Sequence, residues 1–130
     1  EKIRRKYICK KQIKKGRMSV RQLLSLFKQK YSIALMIDQR VTEGIRSDFF
    51  GQKALTTTIP AQFVKKFNCR VVPIYIERKN GIKFKIVINK PIHFSKEESI
   101  TSITDNLNKW LEGKVLQNPE QWIWSHDRWK

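Results

Sequence analysis

The stretch that decides the fold is Ile33–Gly51, which reads IALMIDQRVTEGIRSDFFG. Its first five residues are all apolar, and a run of this length predicts a strand that is buried on both faces. Asp38, Gln39 and Arg40 follow at once. Because ligands of open α/β sheets bind beyond the carboxyl ends of the strands, these polar side chains predict a binding site. The following loop adds Arg46 and Phe50, which we also take as candidate binding residues.

The charge of the chain points to a polyanionic partner. Its 28 Lys and Arg residues exceed its 11 Asp and Glu residues by 17. The first 30 residues hold twelve basic residues and one acidic residue, so they contribute +11 and the remaining hundred contribute +6. Nucleic acid, an anionic membrane surface and a phosphorylated ligand all fit this excess. The bland alternative for the basic N-terminal third is a solvated helix face.

Cysteine usage and hydropathy exclude other classes of protein. Cys9 and Cys69 have no Cys-x-x-Cys spacing, which argues against a zinc site and a disulfide framework and favours a reducing compartment. No metal or cofactor is expected. No apolar run approaches the roughly 18–20 residues that span a bilayer, and no signal peptide is visible. The chain does not begin with Met, so we expect a fragment or a processed chain.

Three helices are predicted around this stretch. Ser19-Val20-Arg21-Gln22 has the capping-box form, so a helix should begin there. Thr56-Thr57-Thr58 before Ile59-Pro60 predicts the start of a second helix that ends near Asn68. A third helix should begin at Ser95, Ser99 or Thr101, and Gly113 and Asn118-Pro119 bracket its end.

Two further strands complete the predicted fold. Residues 71–76 form an apolar run that Pro73 places at an edge or interrupts. The alternating residues 82–88 follow an Asn80-Gly81 turn, so the two strands should pair antiparallel. Together with the strand at 33–37, these elements predict an α/β fold with a mixed sheet and flanking helices.

The histidines offer no convincing catalytic pair. His93 and Glu98 have a His-x4-Glu spacing, but they lie where a helix cap is predicted, and we interpret the spacing as accidental. His126 and Asp127 are adjacent, so their side chains point apart. The tryptophans around them predict a tail that packs back onto the core. No phosphate-binding loop, nucleophile elbow or RNA-binding motif occurs.

An ordered set of short motifs resembles a known family. The chain contains in order Asp38-Gln39, Phe49-Phe50-Gly51, Thr56-Thr57-Thr58 with Ala61, Val71-Val72-Pro73, Asn106 to Glu112, and Pro119-Glu120-Gln121-Trp122-Ile123-Trp124 with His126 and Arg128-Trp129. This set resembles the C-terminal half of the bacterial lipid A biosynthesis (lauroyl/myristoyl) acyltransferases. The similarity runs from about Ile13 to Lys130.

The resemblance implies a fold, an activity and a location. The fold would be the C-terminal portion of a glycerol-phosphate-acyltransferase-like domain, so that 1–130 is one partial domain, with a basic segment at 1–17 and the acyltransferase half at 18–130. The activity would be transfer of a fatty acyl chain from an acyl carrier protein thioester to a hydroxyl of a phosphorylated glucosamine lipid. It would occur at the cytoplasmic face of the bacterial inner membrane.

The resemblance also assigns roles to residues. The family's catalytic His-x4-Asp/Glu pair lies upstream of the Asp-Gln strand, so we expect no catalytic residue in this chain and no activity from it alone. Asp38 matches a pocket acid that positions the acceptor or an arginine. The family's upstream arginine could be Arg4 or Arg5, with Arg5 carried forward as the candidate. Arg46 resembles the phosphate-contacting arginine of a Glu-Gly-Thr-Arg-Ser block in the wider superfamily.

The alternatives from other classes are a small basic nucleic-acid-binding module and a non-catalytic relative that binds anionic lipid. The family interpretation argues against nucleic acid and accounts for the charge, because a phosphorylated lipid on an anionic leaflet attracts Lys and Arg. The basic N-terminal third is the predicted membrane-facing surface.

Overall fold

The computed structural model describes residues 2–13 and 18–130. Two compact units, Glu1–Leu35 and Met36–Lys130, divide the chain. The mixture of helices and strands confirms the predicted α/β class. Residues 1 and 14–17 of the predicted basic segment lie outside the described residues. The elements in chain order are α1 (Lys2–Tyr7), α2 (Ser19–Lys28), β1 (Ile45–Phe49), β2 (Gln52–Thr56), α3 (Ile59–Phe67), β3 (Ile74–Arg78), β4 (Phe84–Ile88), α4 (Ile100–Gln117) and a 3₁₀ turn (Pro119–Gln121).

The first unit contains α1 and α2. Helix α1 has basic residues throughout its last turn and none of its side chains is buried. Helix α2 begins at Ser19, as the sequence predicts, although Met18 stands at the N-cap and makes no side-chain cap bond. Leu23 is the buried residue of α2. Neither helix, nor any other in the described part of the chain, is long and apolar enough to cross a membrane.

Residues 33–37 do not form the predicted strand, and that prediction was wrong. The segment is irregular, and the boundary between the two units falls within it. Met36 is exposed, whereas Ile37 packs partly against a core cluster of the second unit. An apolar run favours burial, but a strand also needs a neighbouring strand that accepts and donates its backbone hydrogen bonds. Among the described residues, the strand pairs form elsewhere.

The β1–β2 hairpin packs on α4 and forms one core cluster. Its strands pair antiparallel from Ile45 opposite Thr56 to Phe49 opposite Gln52. The turn residues Phe50 and Gly51 have positive φ angles of 54° and 73°, as a two-residue hairpin turn requires. The fully buried members of this cluster are Phe49, Ala54, Leu111 and Val115.

Helices α3 and α4 pack together and form a second core cluster. Its buried members are Ala61, Val64, Ile103 and Leu107. Helix α3 ends as predicted at Asn68, whose φ of 50° is left-handed. Helix α4 uses Ser99, one of the three predicted caps, and the Ser99 hydroxyl accepts the Ser102 N–H at 3.0 Å.

The β3–β4 hairpin forms a separate antiparallel sheet, with Ile74 opposite Ile88 and Arg78 opposite Phe84. The predicted turn at residues 80–81 is therefore confirmed. The strand begins at Ile74 instead of residue 71, since Pro73 cannot donate a backbone hydrogen bond. The described strands thus form two two-stranded antiparallel sheets in place of the expected mixed sheet, because each short turn returns the chain directly onto its neighbour.

Candidate functional site

Asp38 and Arg40 lie at the start of the second unit, in the irregular segment that leads to β1. Both residues are half-buried. Within the described residues, Asp38 Oδ1 and Arg40 Nε are buried and have no hydrogen-bond partner. A buried polar atom without a partner costs about 1–3 kcal/mol. Two such atoms in three residues indicate a place where a ligand or a further group can supply the missing bonds.

The C-terminal tail contacts this segment at His126. The backbone N–H of Arg40 donates a long hydrogen bond to His126 Nε2, with the two atoms 3.5 Å apart. Asp127 does not join this contact, because its Oδ1 accepts the backbone N–H groups of Trp129 and Lys130 at 3.2 and 3.1 Å. The His126-Asp127 pair is therefore a local turn that brings the tail to Arg40, in agreement with its interpretation as a poor dyad.

Arg128 is the largest fully buried side chain among the described residues. Its two terminal nitrogens donate to the Leu55 carbonyl oxygen at 2.5 Å and to Thr56 Oγ1 at 2.8 Å. The guanidinium carbon lies 5.4 Å from the centre of the Phe49 ring. Arg128 Nε, like Arg40 Nε, is buried and has no partner in the described part of the chain.

Asp38 and Arg128 act on each other electrostatically. Burial lowers the pKa of the Arg128 guanidinium, and the negative charge of Asp38 raises that pKa in part. A buried arginine and a half-buried carboxylate of opposite charge stabilise each other where water screens poorly. Asp38, Arg40 and Arg128 are grouped below as the tail-capped cluster, because Asp38 acts on the charge of Arg128 and the Arg40 backbone contacts the tail at His126.

Thr56 connects Arg128 to a buried polar network between the β1–β2 hairpin and α4. Asn108 Nδ2 donates to Thr56 Oγ1 at 3.1 Å and to Ser47 Oγ at 2.9 Å. Ser47 Oγ in turn donates to Asp105 Oδ1 at 2.5 Å. Buried networks of this kind hold their members in one arrangement. The hairpin that carries Arg128's acceptors is thus fixed on α4.

Three predicted binding residues are not members of the tail-capped cluster. Gln39 is exposed beside Asp38. Arg46 is exposed on β1, where it alternates with the buried residues Ser47 and Phe49, so it lies on the face turned away from α4. Arg5 is exposed in α1 of the other unit. Their roles in binding stay predictions.

Phe50 has a structural position that the sequence did not suggest. Its ring packs edge-on against Phe49 with the ring centres 4.8 Å apart. Its backbone N–H donates to Glu112 Oε1 at 2.6 Å. A bulky side chain at positive φ is strained, and these two contacts hold the turn in that conformation. The predicted contact of Phe50 with substrate is not tested by this geometry.

The structure agrees with the interpretation of the His93 and Glu98 spacing as accidental. Glu98 Oε1 accepts the backbone N–H of Ser95 at 2.8 Å. Its Oε2 lies 3.3 Å from Asn106 Nδ2 and 3.4 Å from Ser102 Oγ. The Glu98 carboxylate thus makes its hydrogen bonds to residues in and just before α4. His93 is exposed. Within the described residues, no group of three His, Cys, Asp or Glu side chains could hold a metal ion.

Two residues of the site, Arg128 and Asn108, are not predicted from the sequence. The signal for Arg128 is a lone arginine between aromatic residues in a tail predicted to pack on the core. Asn108 lies next to the apolar stripe of α4 and was not singled out. A polar residue beside such a stripe signals a buried hydrogen-bond network. Of the tail tryptophans, Trp122 and Trp129 pack on the core as predicted, whereas Trp124 is mostly exposed.

The family model described as bacterial lipid A biosynthesis acyltransferase matches residues 3–130. The chain therefore belongs to the bacterial lipid A biosynthesis acyltransferase family, as its motifs indicate. This membership supports an acyltransferase role in lipid A synthesis. None of the curated proteins compared with the chain matches it.

Proposed function

We propose that this chain supplies the acceptor side of an O-acyltransferase that moves a fatty acyl chain from acyl carrier protein to a hydroxyl of a phosphorylated glucosamine lipid. The observation that carries the proposal is the tail-capped cluster. It combines a carboxylate oxygen and two guanidinium Nε groups that are buried without partners among the described residues. Arginine N–H groups suit phosphate oxygens, and a carboxylate accepts a hydroxyl proton in a hydrogen bond.

The reaction needs a base that removes the acceptor proton. The hydroxyl oxygen attacks the thioester carbonyl carbon, the carbon–sulfur bond breaks, and the carrier leaves as a thiol that takes up the proton. We assign the base to the family's His-x4-Asp/Glu pair, which these 130 residues do not contain at the family position. The chain alone is therefore proposed to bind the acceptor without turning it over.

Within this proposal each residue of the cluster has one task. Arg40 meets a phosphate of the acceptor through its unpartnered Nε. Asp38 orients the hydroxyl that is acylated. Arg128 is a positioning residue, because it is held by Leu55 and Thr56 and acts on the charge of Asp38. Arg46, Gln39, Phe50 and Arg5 are secondary candidates for contacts with the acceptor.

The charge of the chain supports a location at the cytoplasmic face of the inner membrane. The excess of 17 positive charges favours an anionic leaflet and a phosphorylated lipid. A basic residue near such a surface contributes about 1 kcal/mol of attraction.

The test joins residues 1–130 behind an N-terminal family segment that carries the His-x4-Asp/Glu pair. The product is assayed with acyl carrier protein thioester and a phosphorylated glucosamine disaccharide lipid, and mass spectrometry detects the added acyl chain. Asp38→Asn should lower kcat by about 10²-fold, since misplacing the reacting hydroxyl costs that much. Arg40→Gln should raise KM for the acceptor about tenfold, the effect of losing one charge-assisted hydrogen bond.

Asp48→Asn and Arg70→Gln are the matched controls, because both residues are exposed outside the cluster. They should leave kcat and KM unchanged. The proposal fails if Asp38→Asn is as active as the parent, or if the joined protein never transfers an acyl chain. Tight binding of the chain to DNA or RNA that weakens steeply with salt would instead favour the nucleic-acid alternative.

A further inference from the structure

The β3–β4 hairpin exposes an apolar face. Ile74, Ile76, Phe84, Ile86 and Ile88 are each between 54 and 69% exposed. They alternate along the strands with more buried residues such as Tyr75 and Val87, so they share the outward face. Cross-strand pairing aligns Ile74 with Ile88 and Ile76 with Ile86.

Five large apolar side chains on one outward face form a contiguous patch. Monomeric proteins rarely expose such patches unless they mark a contact surface. Arg78 closes one end of the face, where its guanidinium carbon lies 4.5 Å from the centre of the Phe84 ring. Ile82, at the turn, is almost fully exposed.

The hairpin that carries this face has a large positive charge. Residues 74–90 contain five basic residues and one acidic residue, which gives a net charge of +4. The acidic residue, Glu77, is paired with Lys79. Of the other cations, Arg78 lies at one end of the apolar face and Lys90 follows Ile88 at the other, whereas Lys83 precedes β4 and Lys85 alternates with the apolar residues, so Lys85 lies on the opposite face. An apolar face bordered by Lys and Arg is the pattern of elements that lie in the interface of an anionic bilayer.

Charge also decides against a second copy of the chain as the occupant. Two copies that each carry +17 repel one another, and a contact between these faces would bring together two hairpins that each carry +4. In addition, the Gln121 side chain bonds to the backbone of β3 at Arg78. Its Oε1 accepts the Arg78 N–H at 2.8 Å, and its Nε2 donates to the Arg78 carbonyl oxygen at 3.0 Å. That end of the strand edge is therefore closed to pairing with another strand.

We propose that the β3–β4 hairpin lies on an anionic membrane surface, with its isoleucine and phenylalanine side chains inserted among the acyl chains and with Arg78 and Lys90, at the two ends of the face, on the lipid phosphates. This proposal deepens the proposed function, because it rests on that function for the choice of a lipid surface and names the element that makes the contact. The basic N-terminal third, which the sequence predicts to face the membrane, belongs to the other unit, and its contact with the membrane stays a prediction.

The experiment measures binding of the 130-residue chain to vesicles by flotation. Vesicles of phosphatidylglycerol with phosphatidylethanolamine should bind the chain, and vesicles of phosphatidylcholine should bind it much more weakly. The double variant Ile76→Thr, Ile86→Thr removes a facing pair but keeps β-branched residues in both strands. It should bind the anionic vesicles about tenfold more weakly, because less apolar surface enters the bilayer.

Two control variants separate the face from general effects. Ile123→Thr removes an exposed isoleucine outside the hairpin and should bind as the parent does. Arg78→Gln with Lys90→Gln should weaken binding more than Lys96→Gln with Lys109→Gln, although both pairs remove two exposed cations. Circular dichroism of each variant checks that the fold is retained.

Three outcomes would overturn the proposal. The parent chain could fail to bind anionic vesicles, or the Ile76→Thr, Ile86→Thr variant could bind as tightly as the parent. Sedimentation could also find a dimer that this variant dissolves, which would make the face an interface between copies. Acyl transfer by the joined protein to an acceptor in detergent micelles needs no vesicle, so failure here with transfer intact leaves the proposed function standing.

Discussion

The β1–β2 and β3–β4 hairpins each consist of two five-residue antiparallel strands, but they differ in how far their side chains are buried. The first hairpin reads IRSDF and QKALT and is mostly polar, yet it buries Ser47, Phe49 and Thr56 almost completely. The second reads IYIER and FKIVI and is mostly apolar, yet it has no buried residue. Burial in this protein therefore does not follow strand hydropathy.

The difference lies in what covers each hairpin. Helix α4 and the C-terminal tail pack on the first hairpin, and Trp122 and Trp129 both contact the Phe49 ring. The buried polar residues are tolerated there because Asn108 and Arg128 satisfy them. The outward face of the second hairpin stays exposed. The pattern of residues along a strand thus shows which side chains share a face, whereas the elements that pack on the hairpin decide which face becomes part of the core.

The sharpest test of this comparison truncates one phenylalanine in each hairpin. Phe49→Ala should lower the free energy of unfolding by about 3–5 kcal/mol, because the ring is fully buried among aromatic side chains. Phe84→Ala should cost about 1 kcal/mol, the loss of a half-exposed ring and its contact with Arg78. Urea unfolding followed by circular dichroism measures both. Equal losses of unfolding free energy in the two variants would mean that Phe84 is buried as deeply as Phe49, which would contradict the comparison.

Two glycines test how closely the first hairpin is held. A methyl group added at Gly44 would place its carbon 2.1 Å from the Thr56 carbonyl oxygen, so Gly44→Ala should destabilise the chain by about 1–3 kcal/mol or more. Apart from its chain neighbours and the backbone of its own helix, Gly113 in α4 has no described atom within 4 Å of the same position. Gly113→Ala is therefore the control and should stabilise the helix by about 0.5–1 kcal/mol. Thermal unfolding that shifts both variants in the same direction would contradict the close approach.

The smallest predicted effect concerns Cys69, which packs partly against the α3–α4 core cluster. Burial raises the pKa of its thiol. The folded chain therefore keeps this proton to higher pH than the unfolded chain does. The resulting stability is fully present below the unfolded pKa and is lost as the pH rises through the folded pKa.

In a Cys9→Ser background, iodoacetamide should alkylate Cys69 with a pH midpoint that is higher in buffer than in urea, since the thiolate is the reactive form. Alkylation with the same midpoint in both solvents would show that the thiol is not desolvated in the folded chain.

Local signals in the sequence predicted much of the fold. The start of α3 at Ile59-Pro60, its end at Asn68 and the turn between β3 and β4 all came from residues that restrict their own backbone. These predictions were correct because capping, proline and Asn-Gly effects act within a few residues. The family motifs are also short runs of residues, so they are visible in the sequence without knowledge of the tertiary structure.

The failures involve contacts between distant positions. The apolar run at 33–37 was assigned to a strand, but no pairing partner for it could be named from the sequence. Arg128 and Thr56 lie 72 positions apart, and their hydrogen bond appears only when the tail returns to β2. The placement of Asp38 near Arg128 has the same origin.

The sequence by itself determined the α/β class, the start of α2, both ends of α3, the hairpin turn and the family, because each depends on residue identity or on short-range backbone preferences. The tertiary structure alone decided that a mostly polar hairpin is buried while a mostly apolar one is exposed, and that Asp38, Arg40 and Arg128 form one cluster. Burial and charge pairing depend on which surfaces meet, and one chain's order of residues does not specify that directly.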